Sequence, residues 1–561
     1  MGALGKETGI CPYYASRAAI KPAEIVTLPY PLLLQKSARD ALGISLKGHV
    51  VIIDEAHNLM DAISGIYGVE VSLKQLKRAR AQLGVYLQKF RNRLKGKNRV
   101  YIAQVVRVID SLVGFLEGRL ALPVSDFVCC GIHFLTYGQK ADGIVLEKEL
   151  LSGKGVDQIN LFKLIRYLSE SKLARKVESY ATHTENEASK TTTTKFQKSE
   201  TNSTPVLHQI SSLLSALTNP SKEGRLFFTK LPPDNISLSY LLLDPSTSFS
   251  DIVSECRSVI LAGGTMSPFP PYFTTLFPSL PPSQTTTLSC GHVIPSSNLL
   301  AWTLSRGPTG KEFNFTFQNR GDTEMIDEVG RALLNICTVV PDGVVVFFPS
   351  YAYLSTILSR WELAPSPSQP SILSRLEGKK SLFKESKEAS SETVLQEYAK
   401  AIDSGKGGLL LSVVGGKMSE GINFSDSLGR CVLIVGLPFP NINSAEWKAK
   451  IEYIENSTRE RLEKEKQGLG KGEVEKRAKD AGREHYENSC MRAVNQSIGR
   501  AIRHKGDYAA IVMVDSRFCG ERVKGKLPGW IRGGLVEGCG EKKFGELMGG
   551  LGGFFRGKKG V

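Results

Sequence analysis

Asp54 and Glu55 stand directly behind four β-forming residues in the run VVIIDEAHNL, which begins at Val50. Two carboxylates at the end of a strand suit phosphoryl transfer to water. That reaction needs a hard cation near the phosphate oxygens and a group that orients or deprotonates the attacking water. Asp54 fits the first role, holding magnesium with ATP, and Glu55 fits the second. The same acids also fit a solvated turn. The ordered run Asp54-Glu55-Ala56-His57 behind a fully apolar strand favours the phosphoryl reading and gives His57 a coupling role. A lone histidine is otherwise more often a satisfied surface residue.

A second constellation lies in NSCMRAVNQSIGRAIRHKGD, residues 488–507. Asn488 or Ser489 can cap a helix and Gly506 can end it. Met491, Val494, Ile498 and Ile502 share one face of that helix, and Gln496, Arg500 and Arg503 project from the other at i, i+4 and i+7. Two guanidiniums aimed at one point neutralise charge on a transferring γ-phosphoryl. The competing reading is an exposed basic stripe, against which Gly499 and Ala501 leave room for a close approach. A third loop, SVVGGKMSEGINF, follows a strand and offers Gly415, Gly416, Ser419, Glu420 and Gly421. Backbone amides left free by glycine can bind a phosphate or nucleic-acid backbone. LAGGTMSP, with Gly264 and Thr265, and FFPSY, with Ser350, end strands in groups that donate hydrogen bonds to phosphate.

Such loops need parallel strands behind them. Apolar runs at Val50–Ile53, Ser258–Leu261, Val344–Phe348, Leu409–Val414, Cys431–Val435 and Ala509–Val514 alternate with helical segments, which predicts parallel α/β sheets with ligand chemistry at their carboxyl ends. The Val50 run reads as a strand buried on both faces. Between Ser72 and about Arg175 the spacing in LKQLKRARAQLGVYLQKFRNRL predicts a helical insertion. Residues 180–205, polar and Thr/Ser-rich, read as a disordered loop, and 365–393 as a second projecting segment of that kind.

The 561 residues carry a net charge of +16, and an excess of positive charge favours a polyanionic partner. No run of apolar residues is long enough for a membrane helix. The ten cysteines form no CxxC pair, so no zinc ribbon or redox motif is visible.

Taken in order, these loops resemble the motifs of superfamily 2 helicases: DEAH as motif II, AGGTMSP as III, FFPSY as IV, GGKMSEGINF as V and QSIGRAIRH as VI. Together with CPYYASRAAI, INLFKLIRYLSESKLARK, SCGHVIP and GVVVFFPSYAYL they resemble the XPD-like iron-sulfur DEAH-box DNA helicases, and most of all their chromosome-loss (Chl/ChlR) subgroup. The resemblance implies an α/β fold of two RecA-like domains that clamp ATP. The first is interrupted by a helical Arch-type insertion and by an iron-sulfur domain. It also implies movement 5′ to 3′ on single-stranded and forked DNA, a nuclear location, and work with cohesion and replication factors in sister-chromatid cohesion.

On that resemblance residues 1–28 are a remnant of the iron-sulfur domain. The first RecA-like domain occupies 29–71 and 241–285, the Arch-type insertion 72–240, and the second RecA-like domain 286–561. The family pattern begins with a Walker A loop, GxxxxGK[ST]. No match occurs in these residues, and MGALGKET has the wrong glycine spacing and Glu7 where Ser or Thr belongs. Cys11 matches the fourth ligand of a [4Fe-4S] cluster, which takes four thiolates. The expectation is therefore a chain truncated at its N-terminus, without its cluster. An active helicase, a non-catalytic DNA-binding or scaffold protein, and, more weakly, an RNA helicase all stay open.

Overall fold

A computed structural model describes residues 2–121, 141–151, 155–191, 205–220, 222–231, 235–364, 366–386, 390–465 and 470–558. They form two compact units. One holds Met1–Ala262, Pro270–Leu280 and Asn443–Asn456, and the other Gly263–Phe269, Pro281–Ile442 and Ser457–Val561.

The first unit contains strands β1 (Val50–Ile53), β2 (Val69–Ser72), β3 (Ala141–Val145), β4 (Gly224–Leu231), β5 (Asn235–Leu242) and β6 (Ser258–Leu261). β1 and β6 pair in parallel, with Val50 opposite Ser258 and Ile53 opposite Leu261. The expectation that β1 is buried on both faces is corrected. Val51 and Ile53 face inward, whereas Val50 and Ile52 are 48% and 66% exposed. β1 has only β6 beside it among the described residues, and Ile260 of β6 is exposed on its own account. An apolar strand is fully buried only where elements cover both faces.

Residues 72–240 are not helical alone. β2, β5, β4 and β3 form an antiparallel sheet in that order. Strands of four to eight residues there lie among helices of up to 26 residues, so the helical period dominates the sequence pattern. The helix Leu73–Phe90 starts where Ser72 and Gln75 close a capping box, each side chain bonding the other's amide. Its Leu73, Leu76, Ala79 and Leu83 are buried. The polar run from residue 180 is helical as far as Thr191, within the helix Leu173–Thr191, which corrects the expected loop. Tyr180 sets its ring against Phe90 at 5.3 Å and Tyr86 at 6.4 Å. Once a helix is anchored, each further residue adds a hydrogen bond at little cost. Residues 192–204 lie outside the described residues, as do Cys129 and Cys130.

The second unit is built on β7 (Leu299–Leu304), β8 (Gly343–Phe348), β9 (Ser381–Lys384), β10 (Gly408–Val413), β11 (Cys431–Val435) and β12 (Ala509–Val514). They form one parallel sheet in the order β7-β12-β11-β8-β10-β9. Every residue of β8, β10, β11 and β12 is buried, as a sheet covered on both faces requires. Val344, Val346 and Phe348 of β8 pack on one side with Met325, Leu333 and Trp361. Val345 and Phe347 pack on the other with Tyr398, Met491 and Ile498. The segment 365–393 does not simply project: it contains the helix Ile372–Glu377, whose Ile372 and Leu376 enter the core, and the edge strand β9. Two buried apolar residues and one short strand were too sparse to stand out among its serines and charges.

Among the described residues no helix is long and apolar enough to cross a membrane.

Candidate functional site

In the first unit Asp54 and Glu55 are exposed at the carboxyl end of β1. The backbone holds them there by two bonds to the neighbouring strand's exit, from the Ala56 amide to the Ala262 carbonyl at 2.8 Å and from the Ala262 amide to the Ile53 carbonyl at 2.9 Å. Glu55 sits at φ 48°, a left-handed conformation unusual for a side chain of its size. The Glu55 amide donates to Asp54 Oδ1 at 2.9 Å, and an exposed carboxylate suits a hard cation such as magnesium. His57 is only 4% exposed, and its Nδ1 lies 3.3 Å from Glu55 Oε2. The Tyr30 hydroxyl donates to the Asp54 carbonyl. Burial, and after it the charges of Asp54 and Glu55, push that phenol up from its ordinary value.

The expected line of Gln496, Arg500 and Arg503 on one helix is corrected by the second unit. The helix runs from Lys471 to Ile498, so Asn488 and Ser489 are interior positions and Gly506 lies beyond its end. Gly499 is its C-cap, donating to the Asn495 carbonyl at 2.9 Å. Past it, Asp507 competes with helical bonding: its buried carboxylate accepts from the amides of Arg503 and Asp426 at 3.4 and 3.3 Å and from Arg430 Nη1 at 3.1 Å. Gln496 stays on the helix, half-buried. The two arginines leave it and are tied instead to the glycine loop. Arg500 Nε donates to the Ser419 carbonyl at 3.2 Å, the Arg500 carbonyl accepts from the Phe424 amide at 3.1 Å, and Arg503 donates to the Asn423 side chain. Met491, Val494 and Ile498 are buried on the helix as expected, whereas Ile502 is buried but lies past the helix end.

The glycine loop is less open than its composition suggests. Gly415 takes φ 70°, which only glycine adopts easily. The Gly416 amide donates to the Val413 carbonyl at 3.0 Å, and the Ser419 amide and hydroxyl donate to the Gly416 carbonyl at 3.1 and 2.9 Å. The side chains at Glu420 and Gly421 lie outside the described residues. Ser350 caps the helix Tyr351–Glu362 by accepting from the Tyr353 amide at 3.1 Å, which leaves its proton available to a ligand. Gly264 is exposed. Thr265 Oγ1 is buried and lacks a hydrogen-bond partner among the described residues, a state that a bound polar ligand would relieve.

Cys11 is exposed at the start of the helix Pro12–Ala18. Among the described residues the only grouping of three or more metal-type ligands is Asp426, His504 and Asp507, so Cys11 belongs to no such set. One thiolate does not fit a cluster that takes four.

Sequence reasoning missed Asp507, Asn423 and Tyr30. Asn423 lay within the glycine loop and Asp507 left a trace as an acid between the arginine motif and β12.

Two family models match the chain: DEAD_2 over residues 1–76, and a helicase C-terminal domain over residues 333–534. Between them they take in β1 with its acids and the loops behind β8, β10 and β11. A solved structure, that of S. tokodaii Xpd4, is similar in fold, with TM-score 0.55 at 17% identity, over 92% of this chain and 83% of that one. The ATP-dependent DNA helicase CHL1 of Sclerotinia sclerotiorum is 57% identical over all of this chain and 66% of its own length. The chl1 helicase of Aspergillus clavatus is 53% identical over 96% of this chain and 70% of its own length. The chain thus spans about two thirds of the length of these relatives. Identity of that degree over nearly the whole of this chain means that it belongs to the CHL1 family of ATP-dependent DNA helicases.

Proposed function

We propose that the protein couples ATP hydrolysis to movement along single-stranded DNA, 5′ to 3′, and thereby opens forked duplexes. The observation that carries this reading is the joining of Arg500 and Arg503 to the loop 415–424, through the Ser419 carbonyl and the Asn423 side chain. A guanidinium held by its Nε keeps its two terminal nitrogens for a phosphate. A loop that shares a hydrogen bond with it moves when it moves, which is the coupling a motor needs.

In this scheme Asp54 holds magnesium with ATP, Glu55 orients the attacking water, and His57 relays the state of Glu55 to the sheet. Gln496, Arg500 and Arg503 meet the γ-phosphoryl. Gly415, Gly416, Ser419, Glu420 and Gly421, with Gly264, Thr265 and Ser350, bear on nucleotide and DNA backbone. The units correspond to two RecA-like domains, with an Arch-type insertion at 72–240 and a remnant of an iron-sulfur domain at 1–28, where Cys11 matches the fourth cluster ligand and cannot hold a cluster alone. The resemblance to the chromosome-loss helicases supports, as part of the same proposal, a nuclear site of action and partners in cohesion and replication.

The test is binding and turnover measured together. The purified chain is expected to bind oligo-dT in preference to duplex RNA. Fused to a Walker A-bearing segment of a relative, it is expected to hydrolyse ATP faster when oligo-dT is added. Binding with no DNA-stimulated turnover in the fused protein would make the chain a DNA-binding scaffold instead.

A further inference from the structure

Glu385 has no part in the scheme above. It follows directly on the edge strand β9, is 5% exposed, and has four donors on its carboxylate. Oε1 accepts from Tyr351 Oη at 2.7 Å and from the Met418 amide at 3.2 Å. Oε2 accepts from Ser412 Oγ at 2.7 Å and from the Val413 amide at 3.1 Å. These donors come from three places: the helix after Ser350, the end of β10, and the first turn of the helix Lys417–Gly421. A buried carboxylate is stable when donors satisfy both oxygens, and here they do. The Tyr351 phenol records the same contact, because burial, the bond to Glu385 and the charge of Glu385 push it up to about 12.

The glycine at 416 belongs to this arrangement. A Cβ there would come within 2.6 Å of Glu385 Oε1 and 2.8 Å of Tyr351 Oη. The carboxylate, rather than a ligand phosphate, occupies the approach that the missing side chain leaves open, and it takes the Met418 amide. The next residue is Ser419, whose carbonyl receives Arg500 Nε.

We propose that Glu385 is a positioning residue: it fixes residues 416–419 so that the Ser419 carbonyl holds the Arg500 guanidinium in place. This rests on the reading of Arg500 as the group that meets the γ-phosphoryl. The role requires a carboxylate. A glutamine offers one acceptor oxygen and one NH2, so whichever way it lies it sets a donor against the amide of either Val413 or Met418.

The experiment follows the Arg500 Nε–H signal in the 15N-arginine-labelled chain, assigned by its loss in Arg500→Lys, together with backbone hydrogen exchange. In Glu385→Gln, exchange at the Val413 or the Met418 amide, and at Arg500 Nε–H, is expected to quicken about tenfold or more, the scale of one lost charge-assisted hydrogen bond. Amides of β11 and β12 should keep their wild-type rates. Gly416→Ala keeps the carboxylate but drives it off from the loop side, and it should produce the same two changes. It carries the test alone if the glutamine variant does not fold. Unchanged Arg500 exchange in either folded variant overturns the proposal. So does an equal acceleration in β11 and β12, which would make Glu385 a general prop of the fold. Failure of the helicase reading shows separately, as absent DNA-stimulated turnover in the fused protein, and failure of the role of Arg500 as a wild-type kcat in its Arg500→Lys variant.

Discussion

Arg500 Nε and the Ser419 carbonyl oxygen lie 3.2 Å apart, so the arginine of the last motif is held by the backbone of the loop one strand earlier in the chain. Lysine cannot reproduce this, since its single nitrogen cannot bond Ser419 and a phosphate with the geometry of a planar fork. Arg500→Lys in the fused, ATP-hydrolysing protein should lower kcat by about a thousandfold while leaving nucleotide affinity within a few fold. A kcat near wild type would remove Arg500 from the reaction.

Glu55 stands at a left-handed φ with His57 behind it. Glutamine keeps the size and loses the charge, so Glu55→Gln should reduce turnover by a factor of about a hundred or more with ATP still bound. Retained turnover in a protein that binds ATP normally would assign the base elsewhere.

The net charge of +16 should appear as salt dependence. Affinity of the chain for oligo-dT is expected to fall at least about tenfold between about 50 and 200 mM salt, as counterions released on binding become harder to release. A flat response in a fluorescence anisotropy titration would mean that phosphate contacts do not dominate.

His292 stacks on Trp530 at 4.5 Å and accepts from the Ile294 amide at 3.3 Å through Nδ1. Burial pushes its imidazole below the ordinary 6.5. Between 6.5 and that lowered value the unfolded chain binds the extra proton and the folded chain does not. Stability therefore falls as pH drops through the window and is level above it. Tm should decline as pH falls below the ordinary 6.5, and decline less in His292→Phe. An equal decline in both would show that other groups carry the acid sensitivity.

Asp507 is 1% exposed and faces Arg430, which also lies over the Tyr508 ring at 3.8 Å. Removing one partner of a buried pair strands the other charge, and Arg430 would be left with the more distant and more exposed Asp342 at 3.9 Å, so Asp507→Asn should destabilise the second unit by about 3 kcal/mol in urea unfolding. A loss under about 1 kcal/mol would mean that solvent or Tyr508 stabilises Arg430 without it.

The sequence by itself determined β8, β10, β11 and β12, because fully buried strands read as unbroken apolar runs, and it located β1 and β6, whereas β7 and β9 escaped it. It also determined the order of the motif loops at their ends and the family to which these belong. Asp54, Glu55 and His57 were legible for the same reason: they follow a strand by direct succession, so spacing along the chain is spacing in space. Tertiary structure alone decided the rest. Arg500 and Arg503 continue a helical period in the sequence, yet Gly499 and the Asp507 carboxylate end the helix before them. No local propensity reports a competing acceptor that closes a loop from outside the helix. Glu385 was invisible because its partners lie 27 to 34 residues away along the chain. The meaning of Gly416 changed with it, from a glycine that frees amides for a ligand to one that makes room for a carboxylate. The antiparallel sheet within residues 69–242 was hidden in turn, since short strands become recognisable only when their partners across the sheet are in place.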